Sequence, residues 1–286
     1  MNSFEQDNVA ILLATYNGEK YLREQLSSLY EQTCRNWKLY VHDDGSQDKS
    51  LDIISEFALR YNNIELLDFK TGCGAKDSFL GMLNNIDADY YFFCDQDDVW
   101  EPEKIEISLT QIKKIEDQYK KTKPIVVHSD MTVVDRNLDV INKSFWEVML
   151  IRPDYLNSFN RMGANCLVTG CTMCLNRAAK EATILPANNA VMHDIWITLC
   201  VAKNGGVIFA VNKPLIKYRQ HGFNTIGAKD KREESKLSYK LSHLREITNE
   251  NYATYKMLRD LGYGSFAKYF YYKLRYRLFL WMENEL

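Results

Sequence analysis

A chain of 286 residues that is 46% hydrophobic and 13% aromatic has enough apolar surface to bury a large core. This composition excludes an intrinsically disordered protein and predicts one large domain, or one domain plus an extension. Lys and Arg total 36 against 38 Asp and Glu, so the formal charge of −2 gives no electrostatic reason to expect nucleic acid as a partner.

The first hundred residues alternate between short apolar runs and amphipathic segments. The apolar runs predict four strands, at 9–16, around Leu39 and Val41, at 64–69 and at 90–94. Helical spacing of apolar residues predicts helices at 21–32 and 51–58, the second with Ser46 as its N-cap, whereas 71–78 is predicted to be a Gly-rich turn. This alternation predicts a mainly parallel sheet with helices on both faces.

The rest of the chain is predicted to add further helices and strands. The helices are expected at 103–121 and 190–206, and the strands at 124–135, at 165–177 and on both sides of Pro214. From about Arg232 the chain is predicted to be helical, with a break at Gly262 and Gly264. The predicted fold class is therefore α/β, with a main domain over residues 1–228 and a C-terminal helical extension over 229–286.

The seven cysteines lie mostly in apolar, strand-like runs, so they are predicted to be small buried hydrophobes in a reducing compartment. Cys171 and Cys174 form a lone CxxC without the second pair that a zinc site needs. The N-terminal 17 residues have no basic n-region, and their apolar run is far shorter than the roughly 18 residues that span a bilayer. These features predict a cytoplasmic protein.

Residues 265–282 have an unusual charge pattern. The segment has many aromatic residues, no acid and four cations, which are Lys268, Lys273, Arg275 and Arg277. Such a composition is typical of a segment that lies at a membrane interface. The alternative is a helix that packs on the domain with its basic side in solvent, and the sequence leaves both interpretations open.

Polar clusters follow three predicted strands at the end where α/β sheets bind ligands. They are Thr15, Tyr16 and Asn17, then Asp43 and Asp44, and then Asp95, Asp97 and Asp98. Two like charges about 5 Å apart repel by about 0.8 kcal/mol in water and by about 3 kcal/mol at an effective dielectric near 20. A divalent cation bound between the carboxylates makes the net electrostatic interaction attractive, and oxygen donors suit Mg²⁺ or Mn²⁺. The alternative, that Asp97 or Asp98 caps a helix starting near residues 100–104, explains one of three aspartates.

The pair Asp43 and Asp44 has two other interpretations. Paired acids at strand ends also hold Mg²⁺ in phospho-acceptor receiver domains, which are about half this length, and an Asx-turn leading to Ser46 requires no ligand. The sequence has no GxGxxG after the first strand and no GxxxxGK[ST] loop. Phosphates bound here are therefore expected to be neutralised mainly by a metal and by isolated cations.

Four motifs in order resemble those of the family 2 inverting glycosyltransferases, which have a GT-A fold: VAILLATYNGEKYLREQLSSLYEQT, DDGSQDKS, CDQDDVW and HDIW. The likeness covers the first 225 residues, and the ordered combination is highly specific, although a DxD alone is weak. DQDDVW together with YRQHGFNTIG is most similar to the bacterial rhamnosyltransferase subgroup, which uses dTDP-L-rhamnose to build cell-surface polysaccharide. The resemblance implies a GT-A domain over residues 1–228.

The resemblance implies roles for residues near the first two strands. Thr15, Tyr16 and Asn17 are expected to line the nucleotide site, Asp44 to contact the base or ribose, and Lys76 to lie near the nucleotide.

The resemblance also implies a metal site that binds Mn²⁺ or Mg²⁺. Asp97 and His221 are expected to be metal ligands, and Asp95 to lie nearer the ribose or the sugar. Asp98 is expected to reach the sugar or to cap the next helix, and Arg219 to reach phosphate or sugar.

Asp194 in HDIW occupies the position of the family's catalytic base, which takes the proton of the acceptor hydroxyl as that oxygen attacks the anomeric carbon. The alternative is that Asp194 only caps its helix. The QxxRW pattern of processive members is absent, which favours transfer of a single sugar. The implied partners are a donor, dTDP-rhamnose or a UDP-sugar, and a glycan or lipid-linked saccharide acceptor at the inner face of the cell membrane.

Two other classes of protein remain open. A sugar-nucleotide nucleotidyltransferase has a related fold and metal requirement, but ATYNGEK is poor in the glycines of a triphosphate loop. A non-catalytic module would instead recruit partners to a membrane through residues 265–282.

Overall fold

A computed structural model describes residues 6–165, 168–221 and 243–283. The strands are β1 Val9–Thr15, β2 Lys38–Asp43, β3 Ile64–Leu66, β4 Tyr90–Cys94, β5 Val99–Trp100, β6 Ile125–Val134, β7 Val140–Asn142, β8 Cys174–Asn176 and β9 Val207–Arg219. The helices are α1 Leu22–Tyr30, α2 Ser50–Arg60, α3 Gly74–Asn85, α4 Lys104–Tyr119, α5 Phe145–Val148, α6 Phe159–Asn165, α7 Arg177–Ala182, α8 His193–Lys203, α9 Leu244–Asp260 and α10 Phe266–Met282. The predicted domain boundary at 228/229, the helix start near Arg232 and residues 222–227 of YRQHGFNTIG lie outside the described residues.

The described strands form one nine-stranded sheet in the order β3–β2–β1–β4–β8–β6–β9–β5, with β7 paired to β6. Strands β1 to β4 are parallel, and β8 pairs antiparallel with both β4 and β6. The sheet is therefore parallel in its first half and mixed in its second. β1 and β4 are almost wholly buried, because the centre of the sheet is covered on both faces, which explains their continuous apolar sequences.

The strand register gathers the candidate site residues at one edge of the sheet. Thr15 pairs with Asp43, and Leu13 pairs with Cys94. Because β1, β2 and β4 run in the same direction, the loops that follow them emerge side by side. These loops include the predicted nucleotide and metal residues.

Two local predictions at helix starts are wrong. The segment 71–78 is predicted to be a turn, yet α3 begins at Gly74, because Asp44 accepts hydrogen bonds from the first backbone N–H groups of the helix. Ser46 is not the N-cap of α2, which begins at Ser50. Asp48 instead accepts the Ser50 N–H at 2.9 Å.

Two predicted strands also differ from the structure. Among the described residues of 165–177, only β8 is a strand, and a 3-10 turn at Gly170–Thr172 precedes it. β9 continues through Pro214 as one strand, where the prediction has two. The register with β6 shifts around Asp130, which pairs with Pro214, and this irregularity accommodates a residue that cannot donate a backbone hydrogen bond.

The C-terminal residues are helical with a break, as predicted. The turn between α9 and α10 contains Gly262 at φ +70° and Gly264 at φ +108°, which lie in the left-handed region that favours glycine. A Cβ on Gly163 of α6 would lie 2.5 Å from the Tyr263 ring of this turn, so glycine permits the close approach. Among the described helices, none combines the length and the apolar character that crossing a bilayer requires.

The described cysteines are free thiols, and five of the six are buried. Burial, together with the charge of nearby aspartates, raises the pKa of Cys94 and Cys171 well above the usual range. These thiols therefore stay protonated and pack as small apolar groups, which agrees with the prediction for the CxxC segment.

Candidate active site

Gln96 ties the end of β1 to the DQDD loop, which comprises residues 95–98. The Thr15 hydroxyl donates to Gln96 Oε1 at 2.7 Å, and the Tyr16 N–H donates to the same oxygen at 2.9 Å. Gln96 Nε2 donates to the Tyr16 carbonyl at 3.1 Å. A Cβ on Gly18 would lie 2.4 Å from Oε1, so a side chain there would displace Gln96 from this contact. No sequence pattern indicates the role of Gln96, because its partners lie about 80 residues away along the chain.

We expect Gln96→Ala to raise the dissociation constant for UDP or dTDP about tenfold, since three hydrogen bonds worth about 1 kcal/mol each are lost and partly replaced by water. Isothermal titration of the two nucleotides measures this effect. Gln118→Ala on the exposed side of α4 is the matched control. Equal affinity in the Gln96 variant and the parent would contradict the assigned role.

Asn17 joins the loop after β1 to the loop after β2. Its φ of +49° is one that asparagine tolerates better than most residues. Its N–H donates to Ser46 Oγ at 2.9 Å, and its Oδ1 accepts the Gln47 N–H at 2.8 Å. Asp43 accepts the Ser46 N–H at 2.8 Å, as in the Asx-turn interpretation of that residue. Tyr16 is 56% exposed, so its ring is available to a ligand.

Asp44 is held at the start of α3. Its carboxylate accepts the N–H groups of Cys73 at 2.9 Å and Gly74 at 2.7 Å. Burial raises the pKa of Asp44, but these hydrogen bonds outweigh it and bring the pKa below its usual value, so the group is ionised. Lys76 lies on the first turn of α3 and pairs with Asp77 at 3.3 Å. The structure thus places Asp44 and Lys76 near each other, and their nucleotide roles stay predictions.

Asp97 and His221 meet although they are 124 positions apart. His221 Nε2 lies 2.7 Å from Asp97 Oδ2. The imidazole also stacks on the Tyr21 ring, with centroids 5.0 Å apart. The pairing of β9 with β5 and β6 carries His221 to the DQDD loop, so the two predicted metal ligands lie together.

Asp98 is fully buried and does not cap α4, whose N-cap is Glu103. Asp98 Oδ1 instead accepts the Arg219 N–H at 3.2 Å. The buried Arg219 guanidinium donates to the Asp97 carbonyl at 2.9 Å and to Glu24 at 2.6 Å. The helix-cap interpretation is therefore wrong, and Arg219 supports the DQDD loop from the protein side. Its contact with phosphate or sugar stays a prediction.

The acids of the DQDD loop repel one another. Oxygens of Asp95 and Asp98 and the Cys171 sulfur lie within 4.8 Å of one another. Burial, then the charges of Asp97 and Asp194, raise the pKa of Asp95. Burial, then the charges of Asp97 and Asp95, raise the pKa of Asp98 well above its usual value. Full ionisation of these acids is therefore unfavourable without a positive counter-charge.

The donor atoms at this loop fit a hard divalent cation. Asp97 and His221 offer a carboxylate oxygen and an imidazole nitrogen 2.7 Å apart, and the charge of Asp97 acts on both Asp95 and Asp98. Neighbouring ligand atoms that each lie about 2.1 Å from an octahedral metal ion are about 3 Å from each other. The Asp97 oxygen and the His221 nitrogen therefore need to separate by only a few tenths of an ångström to bind such an ion. A cation here would offset the repulsion among the carboxylates.

Asp194 is the second residue of α8, whose N-cap is Met192, so Asp194 is not the helix cap. Its Oδ2 accepts the Gly170 N–H at 2.9 Å, and its Oδ1 accepts the N–H of the next residue at 2.7 Å. Asp194 lies close enough to Asp95 for the two charges to interact. The candidate base therefore lies near Asp95 of the DQDD loop.

Lys104 is a buried cation beneath the DQDD loop. Its Nζ lies 3.8 Å from the centre of the Trp100 ring and 5.0 Å from that of Phe92. Burial lowers the pKa of Lys104 to about 8, against the opposing effect of nearby thiols and Asp98.

We expect Lys104→Met to remove one contribution to the pH dependence of stability. The pKa of Lys104 is about 8 in the folded chain against 10.5 for an ordinary lysine. The unfolded chain therefore binds more protons at this side chain between these values, and the contribution of Lys104 to the free energy of unfolding rises by about 3 kcal/mol across that window. The free energy of unfolding of the parent should rise by this amount relative to that of the variant. Urea unfolding of parent and variant at several pH values compares the two slopes. Parallel profiles would contradict the burial of a titrating ammonium.

A family model described as "Glycosyl transferase family 2" matches residues 10–179. The chain belongs to glycosyl transferase family 2. This membership confirms the family that the four motifs indicate, and the protein is a glycosyltransferase.

Two curated relatives of this glycosyltransferase have described activities. "dTDP-rhamnosyl transferase RfbG" of Shigella flexneri is 27% identical over 229 residues, which cover 76% of this chain and 74% of the relative. "UDP-Glc:alpha-D-GlcNAc-diphosphoundecaprenol beta-1,3-glucosyltransferase WfgD" of Escherichia coli is 25% identical over 213 residues, which cover 74% and 76%.

Solved structures of other glycosyltransferases share the fold. S. aureus TarS 1–349 in complex with UDP has a TM-score of 0.55 at 19% identity, over 74% of this chain and 60% of that one. Mannosyltransferase PcManGT from Pyrobaculum calidifontis, in complex with GDP-Man and Mn²⁺, has a TM-score of 0.57 at 13% identity, over 88% and 64%. The chain thus spans less than two thirds of either solved chain, and the likeness confirms the predicted GT-A fold.

Proposed function

We propose that this glycosyltransferase is an inverting, divalent-cation-dependent enzyme that transfers one sugar to a hydroxyl of a lipid-linked or growing cell-surface polysaccharide. The favoured donor is dTDP-L-rhamnose. The observation that carries the proposal is the convergence of three side chains from distant parts of the chain. Asp97 and His221 lie 2.7 Å apart, and Asp194 of α8 lies near enough to Asp95 of the same loop for their charges to interact.

Asp194 is the group that removes the proton from the acceptor hydroxyl as its oxygen bonds to the anomeric carbon. The bond from that carbon to the diphosphate oxygen breaks, and its electron pair leaves with the nucleoside diphosphate. Attack from the face opposite the nucleotide inverts the configuration. The Gly170 N–H orients the carboxylate, and a carboxylate oxygen that accepts one hydrogen bond retains capacity for a proton.

The leaving diphosphate develops negative charge that must be stabilised. Asp97 and His221 would hold Mn²⁺ or Mg²⁺, which supplies positive charge there when it is bound. Arg219 keeps the Asp97 backbone in place through its hydrogen bond to the carbonyl. The chain supplies no phosphate-binding glycine loop, which agrees with reliance on a cation.

Relatives support two nucleotide classes. RfbG is described as a dTDP-rhamnosyl transferase and WfgD as an enzyme that uses UDP-Glc. The DQDDVW motif and the higher identity to RfbG favour rhamnose. WfgD is described as acting on a diphosphoundecaprenol-linked sugar, which supports a lipid-linked acceptor and action at the inner face of the membrane.

A donor panel tests this proposal. The full chain is incubated with Mn²⁺ and dTDP-L-rhamnose, UDP-Glc, UDP-GlcNAc or GDP-Man, and nucleotide release is measured. We expect slow release from dTDP-L-rhamnose that stops in EDTA. Release from a different donor would overturn the rhamnose assignment, and undiminished release in EDTA would overturn the metal requirement. Pyrophosphate release from dTTP plus a sugar phosphate would indicate a nucleotidyltransferase instead.

A further inference from the structure

Helix α10 exposes more large apolar side chains than any other helix in the described part of the chain. Of eighteen large hydrophobic residues that are exposed among the described residues, seven lie on α10: Phe266, Phe270, Tyr271, Leu274, Leu278, Trp281 and Met282. Exposed apolar groups clustered in this way mark an interaction surface.

Five of these residues lie on one side of the helix, because they are spaced three or four positions apart. This apolar face comprises Phe266, Phe270, Leu274, Leu278 and Trp281. The opposite side is buried against the domain through Tyr269, Tyr276 and Leu280. Most residues of the apolar face therefore do not take part in packing α10 against its own domain.

Cations border the apolar face, and no acid occurs from Ser265 to Met282. At about 100° per residue, Lys273 and Arg277 lie within about 20° of Phe266 at one edge of the face, and Arg275 and Lys268 lie about 60° to 80° beyond Leu278 on the other side. Arg275 and Arg277 are exposed. An apolar helix face with cations along its margins is complementary to a bilayer whose head groups are anionic.

We propose that the apolar face of α10, with Arg275 and Arg277, docks this glycosyltransferase onto an anionic lipid bilayer. Aliphatic and aromatic side chains enter the head-group region, while the guanidinium groups contact lipid phosphates. The 17-residue helix lies in the plane of the interface.

The buried side of α10 is fixed rigidly, so docking would orient the whole enzyme. The Tyr276 hydroxyl donates to the Leu150 carbonyl at 2.5 Å and accepts the Arg152 N–H at 3.0 Å. The Tyr155 ring stacks on Phe279, with centroids 4.5 Å apart. A helix held in this way presents its other side in a constant direction.

The anchoring also connects the docking surface to the candidate base. α10 packs against α6, and the chain continues from α6 to Gly170, whose N–H holds Asp194. Docking through α10 would bring this side of the enzyme towards the bilayer. This last step rests on the proposed function, because it assumes a lipid-linked acceptor.

Vesicle flotation of the full chain tests the docking surface. The vesicles contain phosphatidylcholine alone or with about one third phosphatidylglycerol. We expect the parent to float with the anionic vesicles at least tenfold more than with the neutral ones. The combined change Phe270→Ser, Leu274→Ser and Leu278→Ser should lower flotation at least tenfold. The change of Arg275 and Arg277 to Gln should remove the preference for anionic lipid.

Matched controls come from exposed residues elsewhere. Leu59→Ser, Val140→Ser and Ile141→Ser remove the same number of exposed apolar side chains, and Lys114→Gln with Lys121→Gln removes two exposed cations. Both control variants should float like the parent. Circular dichroism and melting temperature verify that each variant is folded.

Three results would overturn the docking proposal. They are a parent that does not float, an α10 apolar variant that floats like the parent, and a parent dimer that this variant converts to monomer, which would assign the face to a second copy. Nucleotide release without vesicles should be equal in the parent and the α10 variants. That assay tests the proposed function separately from the docking proposal. In the parent, absence of flotation with normal nucleotide release would contradict only the docking surface, and flotation without nucleotide release would contradict only the proposed function.

Discussion

The Asp194→Asn variant is expected to bind donor nucleotide normally and to lose between about a hundredfold and ten-thousandfold in kcat, which is the usual contribution of a general base. An amide cannot take the proton of the attacking hydroxyl. Because asparagine has the same shape and its oxygen can still accept the Gly170 N–H, the loss should fall on the chemical step. Single-turnover transfer or donor hydrolysis measures it, and nucleotide titration measures binding.

Asp139→Asn is the matched control for this change, since Asp139 is an exposed carboxylate. It should have the kcat of the parent. If Asp194→Asn retained full activity with a normal fold, Asp194 would not be the base.

The Asp97→Asn variant is expected to bind Mn²⁺ more weakly and to lose about a hundredfold to a thousandfold in kcat, because the developing diphosphate charge is left without its counter-charge. Replacing the carboxylate removes one anionic ligand and leaves the imidazole of His221 beside it. Electron paramagnetic resonance of Mn²⁺ measures metal binding independently of turnover. A higher Mn²⁺ concentration should restore part of the activity.

His221→Ala provides a second test of the same site, since it removes the other candidate ligand and leaves the DQDD loop intact. Its Mn²⁺ affinity should fall as well. Asp68→Asn, at an exposed position, should leave Mn²⁺ binding unchanged. Unaltered Mn²⁺ affinity in both the Asp97 and His221 variants would place the metal elsewhere or remove it from the mechanism.

Strands β1 to β4 were predictable because each combines a short apolar run with a polar loop at one end, whereas the two-residue β5 was not predicted. A parallel arrangement then brings Thr15 and Asp43 side by side, as the register shows. The predicted acids therefore share an edge of the sheet in the structure. Local pattern and topology agree here, so the sequence was sufficient.

The supports of the site could not be predicted, because each depends on a contact between distant segments. Gln96 acts on residues 15 and 16, Asp44 starts α3, and Arg219 holds the DQDD loop. Glutamine, aspartate and arginine occur in many loops where they make no contact that supports a site. Only the folded chain distinguishes a side chain that supports a site from one that is solvated.

Helix α10 shows a different reason for incomplete prediction. The sequence of residues 265–282 suggests either packing on the domain or a membrane interface. The structure has one side of the helix packed and the other exposed, because its apolar residues encircle most of the helix. A composition of this kind does not specify which residues face which neighbour.

The position of Arg219 also has a consequence for biosynthesis. Arg219, whose guanidinium supports Asp97, follows it by 122 positions in the sequence. The DQDD loop is therefore synthesised long before Arg219. Nascent chains that end before β9 would lack this support, and His221 as well. We therefore expect the site at the DQDD loop to assemble only late in translation.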